Sequence, residues 1–143
     1  MTYRHLQRGY FALPTLALFI GIIVFVTAVA GTDALGAMIA LAVFLVVMLG
    51  VLINFSQLEV TVDHQQVTAK FGLGRPRKTI ERDNVVAARV VRNRWIHGWG
   101  IRKIKNGWMY NVWGMDAVEL ELASGKVFRI GTDDPNGLVS ALG

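Results

Sequence analysis

The residues best suited to chemistry lie in one stretch. From Asn84 to Met115 there is no acidic residue, but there are six bases: Arg89, Arg92, Arg94, Arg102, Lys103 and Lys105. All four tryptophans, Trp95, Trp99, Trp108 and Trp113, fall in the same stretch, with His97 and Tyr110 between them. Gly98, Gly100, Gly107 and Gly114 loosen the backbone. Cations interleaved with broad aromatic rings bind rather than break bonds, so the stretch reads as a long, exposed excursion between strands. Three readings stand side by side. The excursion touches an anionic lipid surface, where Trp prefers the headgroup region and each base contributes about 1 kcal/mol. Or it docks a protein, since Trp, Tyr and Arg dominate binding hot spots. Or two or three of the tryptophans fill the core and the bases are a solvated face.

Catalytic arrangements are not legible. His5, His64 and His97 are far apart, with no ligand neighbour at metal-binding spacing. Asp133-Asp134 is followed at once by Pro135, which makes helix capping the simpler reading. Glu119 and Glu121 share one strand face, either solvated or paired with Arg129 across a hairpin. Gly72-Leu73-Gly74 lacks the lysine and helix of a phosphate loop. Ser56, Ser124 and Ser140 have no recognisable base. There is no cysteine, which excludes disulfides, thiolate catalysis and Cys-based metal sites. The sequence therefore implies no enzyme, no cofactor and no metal.

These residues must be held by something, and the rest of the chain divides cleanly. The formal net charge is +5 and 53% of the 143 residues are hydrophobic, but the apolar excess is confined to residues 11–53, which hold one formal charge, Asp33. Leu13–Ala30 and Ala34–Ile53 are continuous apolar runs. About 20 helical residues span roughly 30 Å, the thickness of a hydrocarbon core. Neither run has the polar face that a water-soluble helix needs. Pro14 suits a first helical turn, Gly31 a helix C-terminus, and Thr32 or Asp33 the next N-cap, so a tight antiparallel hairpin is expected. Ala28-Val29-Ala30 also resembles a signal-peptidase site, but the apolar run is long for a signal peptide. Arg4 and Arg8 precede the hairpin, its turn has no base, and all other Lys and Arg follow it. That bias puts both ends on the cytoplasmic side of the inner (plasma) membrane, with Tyr3, Tyr10 and Phe11 as interfacial aromatics. Gly36 and Ala40, four apart, permit close packing with a second copy or a larger membrane-protein partner.

Beyond residue 54 the pattern alternates. Leu58–Val62, Val67–Phe71, Arg77–Ile80, Val85–Val91, Ala117–Ala123 and Val127–Ile130 read as strands, with Ser124-Gly125 as a hairpin turn. Asp134-Pro135 opens a short helix to Leu142. The expected organisation is an N-terminal flank (1–11), a two-helix transmembrane hairpin (12–54) and a mainly-β domain (55–143). That domain should have about seven antiparallel strands in a partly closed barrel capped by the helix.

This layout, with Val60–Gly72 as the opening hairpin, resembles the small bacterial membrane proteins that carry a pleckstrin-homology-like (PH-like) domain. Three strings add to the likeness: Gly98-Trp99-Gly100-Ile101-Arg102, Tyr110-Asn111-Val112-Trp113-Gly114 and Arg129-Ile130-Gly131-Thr132-Asp133-Asp134-Pro135. The resemblance implies a binding or scaffolding module rather than an enzyme. It carries over no lipid-binding set, because Lys70 is the only base of the first hairpin before Arg75. The expected function is an accessory or scaffolding subunit of a membrane complex, acting through Arg92, Arg94, Trp95, His97, Trp99, Arg102, Lys103, Lys105, Trp108, Tyr110 and Trp113. The alternative is a lipid- or small-ligand-sensing domain. Nucleic acid is disfavoured, since no groove-reading motif accompanies the bases.

Overall fold

The computed structural model describes residues 2–10, 12–30 and 35–143. Among them are three helices: α1 (Ala12–Ala30), α2 (Leu35–Phe55) and α3 (Pro135–Leu142). There are nine strands: β1 (Tyr3–Arg8), β2 (Gln57–Val62), β3 (Gln66–Phe71), β4 (Arg77–Glu81), β5 (Val85–Arg92), β6 (Gly100–Ile104), β7 (Gly107–Asn111), β8 (Asp116–Leu122) and β9 (Val127–Gly131). The turn expected at Gly31, Thr32 and Asp33, and the aromatic Phe11, lie outside the described residues.

α2 is long and apolar enough to cross a membrane; α1 is shorter, with its apolar stretch at Pro14–Val29. The two helices pack together, with the rings of Phe19 and Phe44 5.9 Å apart edge to face. Their remaining surface is bare and apolar. Leu18, Phe25, Val29, Met38, Val43 and Val46 are all exposed, a contiguous apolar extent that soluble monomers rarely show. A Cβ built on Gly36 meets nothing within 4 Å, so that small-residue face is not used between the two helices.

The N-terminal flank is more than a flank. Tyr3–Arg8 is a strand, paired antiparallel along its whole length with β2, from Tyr3↔Val62 to Arg8↔Gln57. The Gly9 N–H donates to the Ser56 carbonyl at 2.6 Å, so the ladder continues to the foot of the helices. The two helices are thus an insertion in a β-hairpin: the chain leaves the sheet after β1 and re-enters beside it as β2. Polar contacts hold β1. The Tyr3 hydroxyl donates to Asp134 Oδ2 (3.1 Å), His5 pairs with Asp133, Arg4 with Glu59 (3.1 Å), and Gln7 Nε2 donates to the Trp113 carbonyl (3.0 Å). Burial, and then the hydrogen bond to Asp134, push the Tyr3 phenol well up, so it stays a donor. Tyr3 is therefore a sheet residue at the end of the domain far from the helices, not an interfacial aromatic.

Two sheets form the domain, ordered β1-β2-β3-β4 and β5-β8-β9-β7-β6. They do not close into a barrel, and one pair, β7 with β9, is parallel. Alternation decides which side chains face inward. Leu58, Val60 and Val62 of β2, with Val67, Ala69 and Phe71 of β3, meet Tyr110, Val118, Leu120, Phe128 and Ile130 of the second sheet in one buried cluster. Phe55, at the last turn of α2, stacks on Phe71 at 4.7 Å between ring centres and ties the helices to this core. β7 and β9 approach so closely that a Cβ on Gly107 would lie 1.6 Å from the Val127 carbonyl oxygen.

α3 packs against β2, β5 and β8, closing one long side of the sandwich, with Leu138 fully buried. Asp134 caps it by accepting from the Gly137 N–H (3.0 Å), and Pro135 occupies the first turn, so the carboxylate pair is structural as the sequence suggested. Arg82 donates to the carbonyl of Leu142, where the last turn of α3 has no partner of its own. The opposite long side, between β4 and β6, has no such cover.

Candidate functional site

The stretch rich in bases and tryptophans is not one loop. Residues 93–99 connect β5 to β6, which are the two outer edges of the same sheet. With four strand spacings of about 4.8 Å, the connection crosses about 19 Å, close to the reach of seven residues. It passes over the outward-facing side chains Arg129 and Asn111, which meet it at Asn93 and Gly98, and comes beside α2 at Gly98 and Trp99, with a 3-10 turn at Trp95–His97. The backbone of Arg94 donates to Nδ1 of His97 (3.3 Å), which ties His97 into this turn. Residues 100–111 then form the β6–β7 hairpin.

All four tryptophans are exposed, at 82% for Trp95, 53% for Trp108, 44% for Trp99 and 38% for Trp113. The expectation that some of them fill the core is therefore wrong. Phe55, Phe71, Tyr110 and Phe128 supply the aromatic packing there instead. Tyr110, offered as a binding residue, is a core residue.

Two of the tryptophans, Trp99 and Trp113, gather at the helix end. Trp99 and Trp113 stack with ring centres 5.2 Å apart and 10° between planes, and Tyr10 packs edge-on against Trp113 at 6.2 Å. Trp99, Gly98 and Arg102 share a cavity of about 470 Å³ with Val51, Leu52 and Phe55 of α2. The Arg102 Nε donates to the Trp99 carbonyl (3.1 Å), fixing that arginine beside the aromatic pair. Trp95 and Ile96 project from the turn, and Leu73 projects, 76% exposed, from the loop after β3. That loop is tied to the last turn of α2, since Asn54 accepts from the Gly72 and Leu73 N–H groups at 3.0 and 2.8 Å. Arg8, Arg75, Arg77, Arg92, Arg94 and Arg102 are all exposed around these apolar tips. Leu73, Ile96, Arg75 and Arg77 were not part of the sequence-based set, whereas Tyr10 was expected there as an interfacial aromatic. For Leu73, its place between two glycines was the available signal.

Trp108 stands apart. It lies on β7 beside Lys103 of β6 and away from the helices, at the uncovered side of the sandwich. Lys105 is exposed in the turn that follows. The single working surface expected at residues 92–114 is therefore split into a helix-end cluster and a separate group around Trp108.

The connection lies over a polar layer. Glu119, although on the outward face of β8, is buried and paired with both Arg89 and Arg129, while Arg129 also donates to Asn93 Oδ1 (2.9 Å). Burial alone would raise the Glu119 carboxyl, but the Arg129 and Arg89 guanidiniums outweigh it and hold the group below the usual carboxylate range. Pairing with Arg129 was one of the two sequence expectations; the solvated face was the other, and it holds only for Glu121. Asn111, buried, donates from Nδ2 to the carbonyls of Gly98 (3.4 Å) and Gly114 (3.2 Å), anchoring both ends of the aromatic stack.

His64 and Ser140, remote in sequence, line one cavity of about 530 Å³ with Tyr3 and Arg82, and no carboxylate lines it. Among the described residues no three His, Asp or Glu side chains converge on a metal position. Compared with protein-family models and with curated proteins, the chain matches none.

Proposed function

We propose that this chain is a non-enzymatic, membrane-anchored binding module whose helix end rests on an anionic lipid surface. Both helices cross the bilayer as an antiparallel hairpin, and the sandwich sits on the cytoplasmic side of the inner membrane with both chain ends. One observation carries this reading. The exposed apolar tip Leu73 and the Trp99–Trp113–Tyr10 cluster lie where α1 leaves and α2 returns, beside the exposed Arg8, Arg75 and Arg102, and Trp95 and Ile96 project from the connection that leads into Trp99. That is the level of the headgroups, where aromatic rings with one wet edge are stable and guanidiniums meet phosphates bidentately. The bias of Lys and Arg to the two ends of the chain supports the orientation. The likeness to bacterial PH-like membrane proteins fits the same role, a surface-reading adaptor rather than a catalyst.

Amide exchange of the full chain in nanodiscs tests this. Discs containing phosphatidylglycerol should slow exchange at residues 72–77 and 93–99 severalfold relative to phosphatidylcholine discs, and leave β8 unchanged. Equal exchange in both discs sinks the proposal.

A further inference from the structure

The uncovered side of the sandwich is a slot with its own chemistry, separate from the helix end. β4 and β6 are the facing edges of the two sheets, and neither has a strand partner there. Between them the inward face of the second sheet is open. Ile101, Trp108, Tyr110 and Phe128 line a cleft of about 310 Å³, with Lys78 of β4 across from them. The cleft widens into a space of about 830 Å³ that Lys78 and Trp108 also line, together with Lys103 and Lys126. No carboxylate lines either space; Glu81, at the far end of β4, is the nearest acid along that strand. Lys78, Lys103 and Lys126 form none of the ion pairs found among the described residues.

Two features of this slot choose its occupant. The first is the pair of unpaired strand edges, each five residues long, whose free N–H and C=O groups are a template for an added strand. The second is charge. Lys78 on β4, Lys103 on β6, then Lys105 and Lys126, repel a second copy of this basic chain and attract an acidic one. β6 starts beside α2 at Gly100 and runs away from it. Lys103 therefore stands about 10 Å further from the helices, so headgroups at the helix end do not reach this slot.

We infer that the slot binds an extended acidic segment of a partner protein, added as a strand along β6. Side chains alternate in such a strand. One large apolar residue enters the cleft over Tyr110 and Phe128 beside Ile101, and the next inward residue is a carboxylate on Lys103 and Lys78. The segment closes the open side of the sandwich, as α3 closes the other.

The test uses the full chain in phosphatidylcholine nanodiscs and blocked hexapeptides Glu-Glu-Xaa-Glu-Glu-Glu, with Xaa as Phe, Leu, Ile or Val, so that an inward apolar residue is followed two positions on by an inward carboxylate. At least one should bind and protect the Gly100–Ile104 amides from exchange, while the Lys-for-Glu counterpart does not bind. The double variant Lys78→Glu/Lys103→Glu, altered only at exposed side chains, should weaken binding at least about tenfold. Arg94→Glu, at the helix end, should not. Trp108→Ala should weaken binding while the thermal melt stays unchanged. The inference is overturned if no peptide protects β6, if the charge-reversed variant binds as well as the parent, or if soluble dihexanoyl phosphatidylglycerol protects β6 where the peptides do not.

Discussion

A chain cut to residues 55–143 is expected to lose its cooperative fold, whereas a chain in which residues 2–10 are joined to 55–143 by a short Asn-Gly link is expected to fold as a soluble domain. β1 supplies the outer strand of the first sheet and pairs with β2 over six residues. Without it, β2 becomes a bare edge. The bonds from Tyr3 to Asp134, His5 to Asp133, Arg4 to Glu59 and Gln7 to Trp113 also vanish. The partly buried Tyr3 and Gln7 bonds are worth about 1 kcal/mol each and the exposed Arg4 and His5 pairs less, against a total domain stability on the order of 5–15 kcal/mol. The loss also uncovers the strand that contributes Leu58, Val60 and Val62 to the core. The joined version keeps every one of these contacts, because Arg8 already faces Gln57 and Gly9 already bonds to Ser56. Circular dichroism melts of the two chains separate them: a cooperative transition only in the joined chain is the expected result. Equal melting of both would show that β1 is dispensable.

Replacing Glu119 by alanine should be the most damaging single change on the outward face of the second sheet. It leaves Arg129, whose side chain is 18% exposed, without its carboxylate and frees Arg89, which is 64% exposed. Breaking a buried pair at one partner costs about 3–5 kcal/mol. The exposure of Arg89 reduces its share, so a loss of about 2–3 kcal/mol is expected. The pH dependence follows from the lowered carboxyl. The group is more acidic folded than unfolded, so its contribution is complete above the unfolded value of about 4.3 and is lost as pH falls through the folded one. Glu59, also held low against burial by Lys70 and Arg4, and Asp63, held low by the Gln65 and Gln66 N–H groups, titrate in the same window. The informative quantity is thus the difference between parent and Glu119→Gln in melts from pH 3 to pH 7. The parent should lose more stability on acidification than the variant. Parallel curves would mean the triad contributes nothing to folding.

The strands with alternating or β-branched residues were readable from the sequence. β2, β3, β4, β5, β8 and β9 lie within two residues of where those patterns put them, as does α3, whose cap is spelled out by Asp134-Pro135. β1 was not, and the reason is physical: Gln7 is its buried residue and Leu6 is half exposed, so it has no apolar alternation and is held by backbone bonds and polar pairs. β6 and β7 were masked by glycines that mark close approach, such as Gly107 against Val127, and not flexibility. The candidate site was half legible. Bases and tryptophans were visible as a cluster in the chain, but their division between the helix end and the open slot depends on which strands are neighbours. Lys78 and Lys126 join Trp108 only through that topology. Tyr110 looked like its aromatic neighbours in sequence, and it shares the inward face of β7 with Trp108, but it alone of the two is covered by the core.

The central claim concerns depth, and single-tryptophan variants measure it. In each, the other three tryptophans are replaced by phenylalanine, and the full chain is placed in vesicles containing lipids brominated near the headgroup. The account predicts strong quenching of Trp95 by the brominated lipid and little of Trp108, with Trp108 quenched instead by iodide in the water. Trp108 quenched by the lipid as strongly as Trp95, or Trp95 quenched only from the water, would contradict it.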